Sequence, residues 1–497
     1  MNTGIAALFF LFIFMFAMVF SRSSAQEEKN LAPLSDATEE CLDCHKAVTP
    51  GIVQDWLSSE HAQGTPEESI RKPALEREVS SAQVPGDLMH VAVGCFECHS
   101  LNSLEHEDSF EHFDFQINVV VSPRDCATCH SEEQAQYASS KKANALLNLQ
   151  ENPVYHTLVE TLTSIKEVEG SDVLMLESSE TAKADACYAC HGTRVEYQGL
   201  LTLVTEVGDI EVPKLSHWPN QGVGRINPDR SRGACTSCHP RHSFSIEIAR
   251  KPDTCSQCHL EPDVPAWNVY RESKHGNIYH SLEREWNWER IPWVVGKDFK
   301  APTCATCHNS LITSPEGDVV APRSHDFGKR LWVRLFGLIY SHPQPKSGQT
   351  YLIKNKDGLP LPTAFTGETA SEFLLGEREQ ETRRKTMEGI CGACHSTAWA
   401  EGHFKRFDAT IKEGDRMVLA ATKLLVKAWD LGLADRTNPF DEAIELKWVK
   451  QWLYHANSLR YASAMSGPDY AAFKSGWFEL TKNLQDMLRS LRTKPKK

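Results

Sequence analysis

A mainly α fold with few short strands, packed around covalently held cofactors and closed by a C-terminal helical bundle, is predicted by three observations. All sixteen cysteines fall into eight copies of Cys-x-x-Cys-His, with none left over. The connections between copies are irregular, with short helical stretches and turn-rich segments. Beyond His395 there is no cysteine, and apolar residues recur at helical spacing.

The eight copies are Cys41, Cys44 and His45; Cys95, Cys98 and His99; Cys126, Cys129 and His130; Cys187, Cys190 and His191; Cys235, Cys238 and His239; Cys255, Cys258 and His259; Cys304, Cys307 and His308; and Cys391, Cys394 and His395. Two thiols at this spacing bond both vinyl groups of one haem, and the histidine beside them takes an axial position on the iron. A disulfide framework would not place a histidine behind every pair, zinc sites need two pairs converging on one metal, and thioredoxin-like motifs occur singly. The expectation is a multihaem cytochrome c with eight covalent haems, in which the haems themselves form much of the core.

In chain order, residues 4 to 20 form an apolar run followed by Ser23-Ser24-Ala25, so residues 1–25 read as a signal peptide. Export to the periplasm or an equivalent extracytoplasmic compartment is expected, with membrane association only if that segment stays uncleaved. Residues 26–395 are the haem domain. Within it Leu200 to Leu215 reads as a β-hairpin turning at Gly208-Asp209, and the motif-free span from Asn309 to Ile390 reads as loops. Residues 396–497 read as a helical hairpin or bundle. Leu424, Leu425, Ala428, Trp429 and Leu431 mark one helix, ended by Asn438-Pro439. Ile444, Trp448, Val449 and Trp452 mark a second; Phe473, Trp477, Leu480, Leu484, Met487, Leu488 and Leu491 mark a third. The formal charge of −13 argues against nucleic acid, which asks for basic stripes, and suits docking to a basic patch on a redox partner.

A haem that only passes electrons needs a second axial ligand, and one that performs chemistry needs an open position. Thirteen histidines lie outside the motifs, enough to close every iron, so counting alone does not show an open one. His61 in Ser-Glu-His-Ala and His275 in Ser-Lys-His-Gly each follow a motif histidine by sixteen residues and a Trp-containing stretch, an internal repeat that makes both expected ligands. A third copy, Ser140-Lys141-Lys142-Ala143, has lysine where histidine is expected; a histidine from elsewhere, or a plain surface lysine, is expected ahead of ligation by Lys142. His242, three residues after a motif, and His90, His325 and His403 complete the expected set. For His156, His217, His280, His342 and His455 a hydrogen-bonding or surface role is at least as well supported.

The block Gly222-Val-Gly-Arg-Ile-Asn-Pro-Asp229 before Cys235, the segment Ser-Lys-His-Gly, the motif count and the C-terminal Met465-Ser-Gly-Pro-Asp-Tyr470 together resemble the octahaem hydroxylamine oxidoreductases and hydrazine dehydrogenases, over nearly the whole chain after residue 25. The resemblance implies seven bis-histidine haems and one five-coordinate catalytic haem on the fourth motif, with His191 proximal. It further implies a homotrimer in which a tyrosine, here Tyr470, bonds the neighbouring subunit's catalytic porphyrin. The family's base is an Asp-His pair after the sixth motif; here the text is Pro262-Asp263-Val264, with the carboxylate present and the imidazole absent. His217 or His280 could compensate.

The leading expectation is therefore an exported oxidoreductase with Asp263, Tyr470 and His191 as catalytic residues. It would oxidise hydroxylamine or hydrazine at one haem and pass electrons through seven others to a small c-type cytochrome. The second is the same fold reducing nitrite, nitric oxide or hydroxylamine, and the third a non-catalytic electron conduit. Tyr470 favours the first, and Val264 weakens it.

Overall fold

The computed structural model describes residues 31–170, 172–205, 208–336 and 338–492; the expected signal peptide lies outside them. Short helices and two- or three-stranded sheets make up the chain as far as residue 376, and three long helical stretches make up most of the rest. No helix among the described residues is long and apolar enough to cross a membrane.

The motifs shape their own backbone. Cys95–His99, Cys187–His191 and Cys304–His308 are each a short helix, and a helical turn brings residues three apart to one side, so both thiols of a motif face the same way. The expected hairpin pairs Glu196–Thr205 with Gly208–Ser216. Its register sets Thr205 opposite Gly208 and Val204 opposite Asp209, so Gly208 and Asp209 lie on the second strand rather than in the turn.

Two segments depart from the expectation. The span before the eighth motif is not all loop, because Glu377–Gly392 is a helix. Only Met387 and Ile390 are buried on it, so it carries no apolar periodicity to read; charge pairs four residues apart, Glu379 with Arg383, Glu381 with Lys385 and Arg384 with Glu388, support it instead. The helix Thr397–Asp430 stops eight residues before Asn438-Pro439. Gly432 takes a left-handed φ of +64°, and the Leu433 N–H turns back to the Ala428 carbonyl, the usual glycine termination of a helix.

That 34-residue helix begins at the last motif, with Ser396 at its N-cap, and runs on into the C-terminal bundle. The second helical stretch runs from Ala443 to Met465 through a π-helical segment, Lys450–His455, and the third is Trp477–Arg492. Val418, Leu425, Trp448, Leu459, Leu480 and Met487 meet in one core with Leu338, Ile339 and Leu361, each buried Leu, Val, Ile or Met worth about 1.5–3 kcal/mol. Leu338 to Leu361 thus docks the bundle onto the motif-bearing part. A second core of aromatic rings, Trp286, Trp288, Trp293 and Phe299, packs beside Tyr279 and Tyr270. Around the motifs themselves there is a continuous cavity of about 2590 Å³ instead of packed side chains.

Candidate haem sites and catalytic pocket

All eight motif histidines and every motif cysteine but Cys44 line that one cavity, so the fold encloses a single connected space where the motifs open. Its fit to haem can be tested on the histidines. Two metal–imidazole bonds of ~2 Å and the distance from ring nitrogen to ring centre place the rings of a bis-histidine iron about 6.3 Å apart. The ring centres of His45 and His112 lie 6.3 Å apart, His130 and His61 6.2 Å, His99 and His242 6.5 Å, His239 and His325 6.5 Å, and His395 and His275 6.0 Å. Five motif histidines thus face a second imidazole at the spacing an iron requires, and the residues fit the group.

The ring chemistry agrees. His99 and His130 turn Nδ1 to the carbonyls of Asn118 and Glu78, at 2.7 and 3.1 Å, which frees Nε2 for a metal. Burial lowers His61, His191, His239, His308 and His325 to about 4, so they are neutral imidazoles, the form that binds metal.

The expected ligand His90 is a correction. Its ring stands in solvent, 68% exposed and 3.3 Å from Glu67, and faces no motif histidine; standing near a motif in sequence did not aim it inward. His403 lies buried on the long helix, stacked on Trp399, which stacks in turn on His395; it lines the cavity. His280 packs on Trp267 and Tyr279, and His455 bonds Ser475. His106, fully enclosed, lies between Asp108 and Asp125, each at 3.1 Å. Lys142 is not the plain surface lysine of one expectation: its Nζ stands part-buried, 3.4 Å from His259 Nε2.

Among the described residues no imidazole faces His191, His259 or His308 at the spacing of the five pairs; Lys142 stands beside His259, and the fourth motif is set apart by the groups gathered around it. Its position is set by the glycine-rich block: Gly192 has φ +102°, and a Cβ there would lie 2.3 Å from the Arg225 nitrogen. A Cβ on Gly224 would lie 2.6 Å from the His191 carbonyl oxygen, so the two turns are pressed together. Arg225, buried, bonds Asn227 and the Asn220 carbonyl, and Asp229 accepts from Ser122 at the third motif.

Asp263 lies within electrostatic reach of Cys187, Cys190, Tyr454 and Tyr461. Burial raises its carboxyl above the ordinary value, against two backbone N–H bonds from Asp263 and Val264. The Asp263 carbonyl accepts from Asn457 at 3.0 Å, and Arg460 on the same helix donates to the Leu335 carbonyl, next to Arg334, and pairs with Asp415. One helix therefore ties Asp263 to the strand carrying Arg334. Arg334 acts on both His191 and Tyr461, and Asp263, Arg334, Tyr454 and Tyr461 all line the cavity. The π-helical turn presents Trp452, Leu453 and Tyr454 to it. Tyr470 is only 2% exposed, packed with Val269 and Ala462, and its hydroxyl donates to Glu261 of the same chain. A bond from Tyr470 to a neighbouring subunit requires this side chain to leave that pocket.

Two family models match, that for multihaem cytochromes with repeated CxxCH over residues 224–320 and that for cytochrome c554 and c-prime over residues 125–210. A solved structure described as a hypothetical multihaem protein is 44% identical, with a TM-score of 0.88, covering 93% of this chain and 96% of that one. This chain belongs to the multihaem cytochromes c. Its fold is hydroxylamine oxidoreductase-like: the reducing HAO-like protein complex of Kuenenia stuttgartiensis superposes with a TM-score of 0.58 at 18% identity over 92% of this chain and 85% of that one. A probable nitrite reductase-hydroxylamine oxidoreductase fusion protein of the same organism is 25% identical over 408 residues, 78% of this chain; the chain spans 37% of that relative's length.

The motif thiols of this multihaem cytochrome form a chain of neighbours. Cys126 and Cys235, Cys190 and Cys258, and Cys255 and Cys304 are within hydrogen-bonding reach. Cys41 lies near Cys95, Cys98 near Cys129, Cys238 near Cys255, and Cys307 near Cys391. The sites therefore connect in the order one, two, three, five, six, seven, eight, and the fourth branches from the sixth. Sequence reasoning missed His112, Arg334, Tyr454 and Tyr461. His112 follows no repeat, and the others come from segments far from any motif, so pocket geometry alone singles them out.

Proposed function

We propose that this multihaem cytochrome carries eight haems, seven of which pass electrons while the one on Cys187, Cys190 and His191 exchanges them with a small nitrogen compound, and that the site works reductively on nitrite or a related nitrogen oxide. The observation that carries this reading is the set of groups gathered at the fourth motif. A carboxyl with a raised pKa, two tyrosines and an arginine converge there, and among the described residues no imidazole faces His191. The haem, when bound, supplies electrons and an open position on its iron.

The side chains supply the rest. Arg334 draws an anion into the pocket. Removing oxygen from nitrogen as water consumes protons; a carboxyl that burial keeps protonated to higher pH, backed by Tyr454 and Tyr461, is suited to give them. Oxidation has the opposite need, a base, and Val264 can neither accept nor carry a proton. The name of one Kuenenia relative, a reducing HAO-like complex, supports the same direction, while the other, a nitrite reductase-hydroxylamine oxidoreductase fusion, names both.

Export, a homotrimer and a small c-type cytochrome as electron partner belong to this reading. Haem is attached to such motifs outside the cytoplasm, and the acidic chain suits a partner with a basic patch.

Carbon monoxide tests the open site. The ferrous protein is expected to bind it at about one iron in eight; no binding at all would establish the conduit and remove both enzyme readings. Direction is tested by assaying nitrite reduction and hydroxylamine oxidation side by side, with reduction expected to be the faster. Oxidation of hydroxylamine remains the second reading because Tyr470 stands in family context. Under the reductive reading, Tyr470→Phe leaves turnover and the migration of the denatured chain unchanged; covalent trimers in the native protein, lost in the variant, would restore the oxidative reading.

A further inference from the structure

The internal repeat Ser-Glu-His-Ala, Ser-Lys-His-Gly, Ser-Lys-Lys-Ala is also a repeat in three dimensions. Ser59, Ser273 and Ser140 have φ and ψ of −83° and 155°, −70° and 164°, and −77° and 162°. Each closes the preceding helix the same way, its N–H donating to the carbonyl three residues back, on Trp56, Tyr270 and Tyr137, at 2.9, 3.0 and 2.9 Å. In each copy the residue two places after the serine reaches a motif histidine on another stretch of chain. His61 meets His130 and His275 meets His395 at the bis-histidine spacing, and Lys142 meets His259, its Nζ 3.4 Å from Nε2.

Lys142 has no other partner that accounts for its place. Among the described residues no carboxylate pairs with it, and its ammonium position lies 5.0 Å over the Phe327 ring, inside the cavity. Two ~2 Å bonds to one iron ask for about 4 Å between the nitrogens, which a four-carbon arm reaches by moving a little over half an ångström.

We propose that Lys142 is the second axial ligand of the haem on Cys255, Cys258 and His259, binding iron through its neutral amine and giving up one proton to solvent as it does so. Primary amines and imidazoles are both nitrogen donors, but the amine lacks a π system, so this iron has a ligand field and a potential unlike those of the bis-histidine irons. The position of the sixth motif gives that difference a use: Cys258 touches Cys190 and Cys255 touches Cys304, so this haem stands where the fourth site joins the wire. Electrons entering or leaving the reactive haem pass the one iron whose potential is set by lysine.

The proposal requires a haem on the sixth motif and is independent of the direction of the reaction. Its test is spectroscopic. Near-infrared magnetic circular dichroism of the ferric holoprotein is expected to show one amine–imidazole low-spin haem beside the bis-imidazole ones. Lys142→His is expected to convert that component to bis-imidazole at unchanged total haem, with the other bands unmoved. Lys142→Ala is expected to open a second iron, raising bound carbon monoxide from one to two per chain. A wild-type spectrum with only bis-imidazole low-spin haems, or an Ala variant with unchanged spectrum and unchanged carbon monoxide binding, overturns the proposal. If the Ala variant does not assemble, the wild-type and His spectra decide. The wild-type carbon monoxide count bears on the open fourth site, and the increment in the variant bears on Lys142, so the two readings fail separately.

Discussion

Asp263→Asn is expected to lower nitrite reduction by about 10²- to 10⁴-fold, the usual contribution of a positioned general acid, with all haems retained and the carbon monoxide count unchanged. Asparagine has nearly the same shape and keeps the backbone bond from Asn457 to the residue-263 carbonyl, so the pocket survives; it has no proton to give. The pH profile carries the sign. Burial raises the Asp263 carboxyl above its ordinary 3.8, so the acid form persists to higher pH than a surface aspartate's. The activity it carries is present below that raised value and is lost as pH climbs through it. In the Asn variant this limb is absent. Installing histidine at Val264 runs the comparison the other way: a base next to Asp263 is expected to raise hydroxylamine oxidation and to leave nitrite reduction unchanged or slower. Turnover unaltered in both directions by both variants would show that the fourth motif is not the reactive site.

Loss of about 3–5 kcal/mol is expected for His106→Ala, because removing one partner of a buried charge group leaves uncompensated charge inside the protein. The imidazole is enclosed with Asp108 at Nδ1 and Asp125 at Nε2, each 3.1 Å away. Burial alone would lower its pKa, but the hydrogen bonds to Asp108 and Asp125 raise it from 6.5 to about 9. Asp125 also accepts from the Ser122 backbone and from Asn102, directly before Cys126, so the imidazolium holds the start of the third motif. Since the folded value is the higher one, the stabilisation is complete below pH 6.5 and disappears as pH rises through about 9. Thermal unfolding of the holoprotein should therefore show a midpoint falling between pH 6.5 and 9 in the wild type and a lower, flatter midpoint in the variant. Equal midpoints for the two proteins at pH 6 would mean that the triad stays neutral and adds nothing.

Much of the site was legible because the chemistry of attachment is local. Two thiols and a histidine within five residues specify one haem wherever the chain goes, and the repeat containing His61 and His275 could be read because it is also local. His90 was misread and His112 passed over for one reason: an axial ligand is chosen by the direction of a side chain across a cavity, which neighbouring residues in sequence do not record. His112 sits at the end of a small strand that turns it onto His45; His90 sits on a turn that leaves it in water beside Glu67. The charged helix Glu377–Gly392 escaped notice because its support is ion pairs and a motif at its end, with no apolar stripe.

The sequence by itself determined what the protein is built around. Sixteen cysteines and eight histidines in one pattern demand haem attachment, and the periodicity after residue 396 demands a packed bundle, since each signal is carried by bonds or spacings within a turn or two of chain. Which histidines meet, and which carboxylate, arginine and tyrosines surround the fourth motif, were decided only by the tertiary structure. Asp263, Arg334 and Tyr461 are far apart in sequence and share a pocket because Asn457 and Arg460, on one helix, bind the backbone beside two of them. The same holds for Lys142: the sequence shows a lysine where a histidine is expected, and only the fold sets its amine against His259.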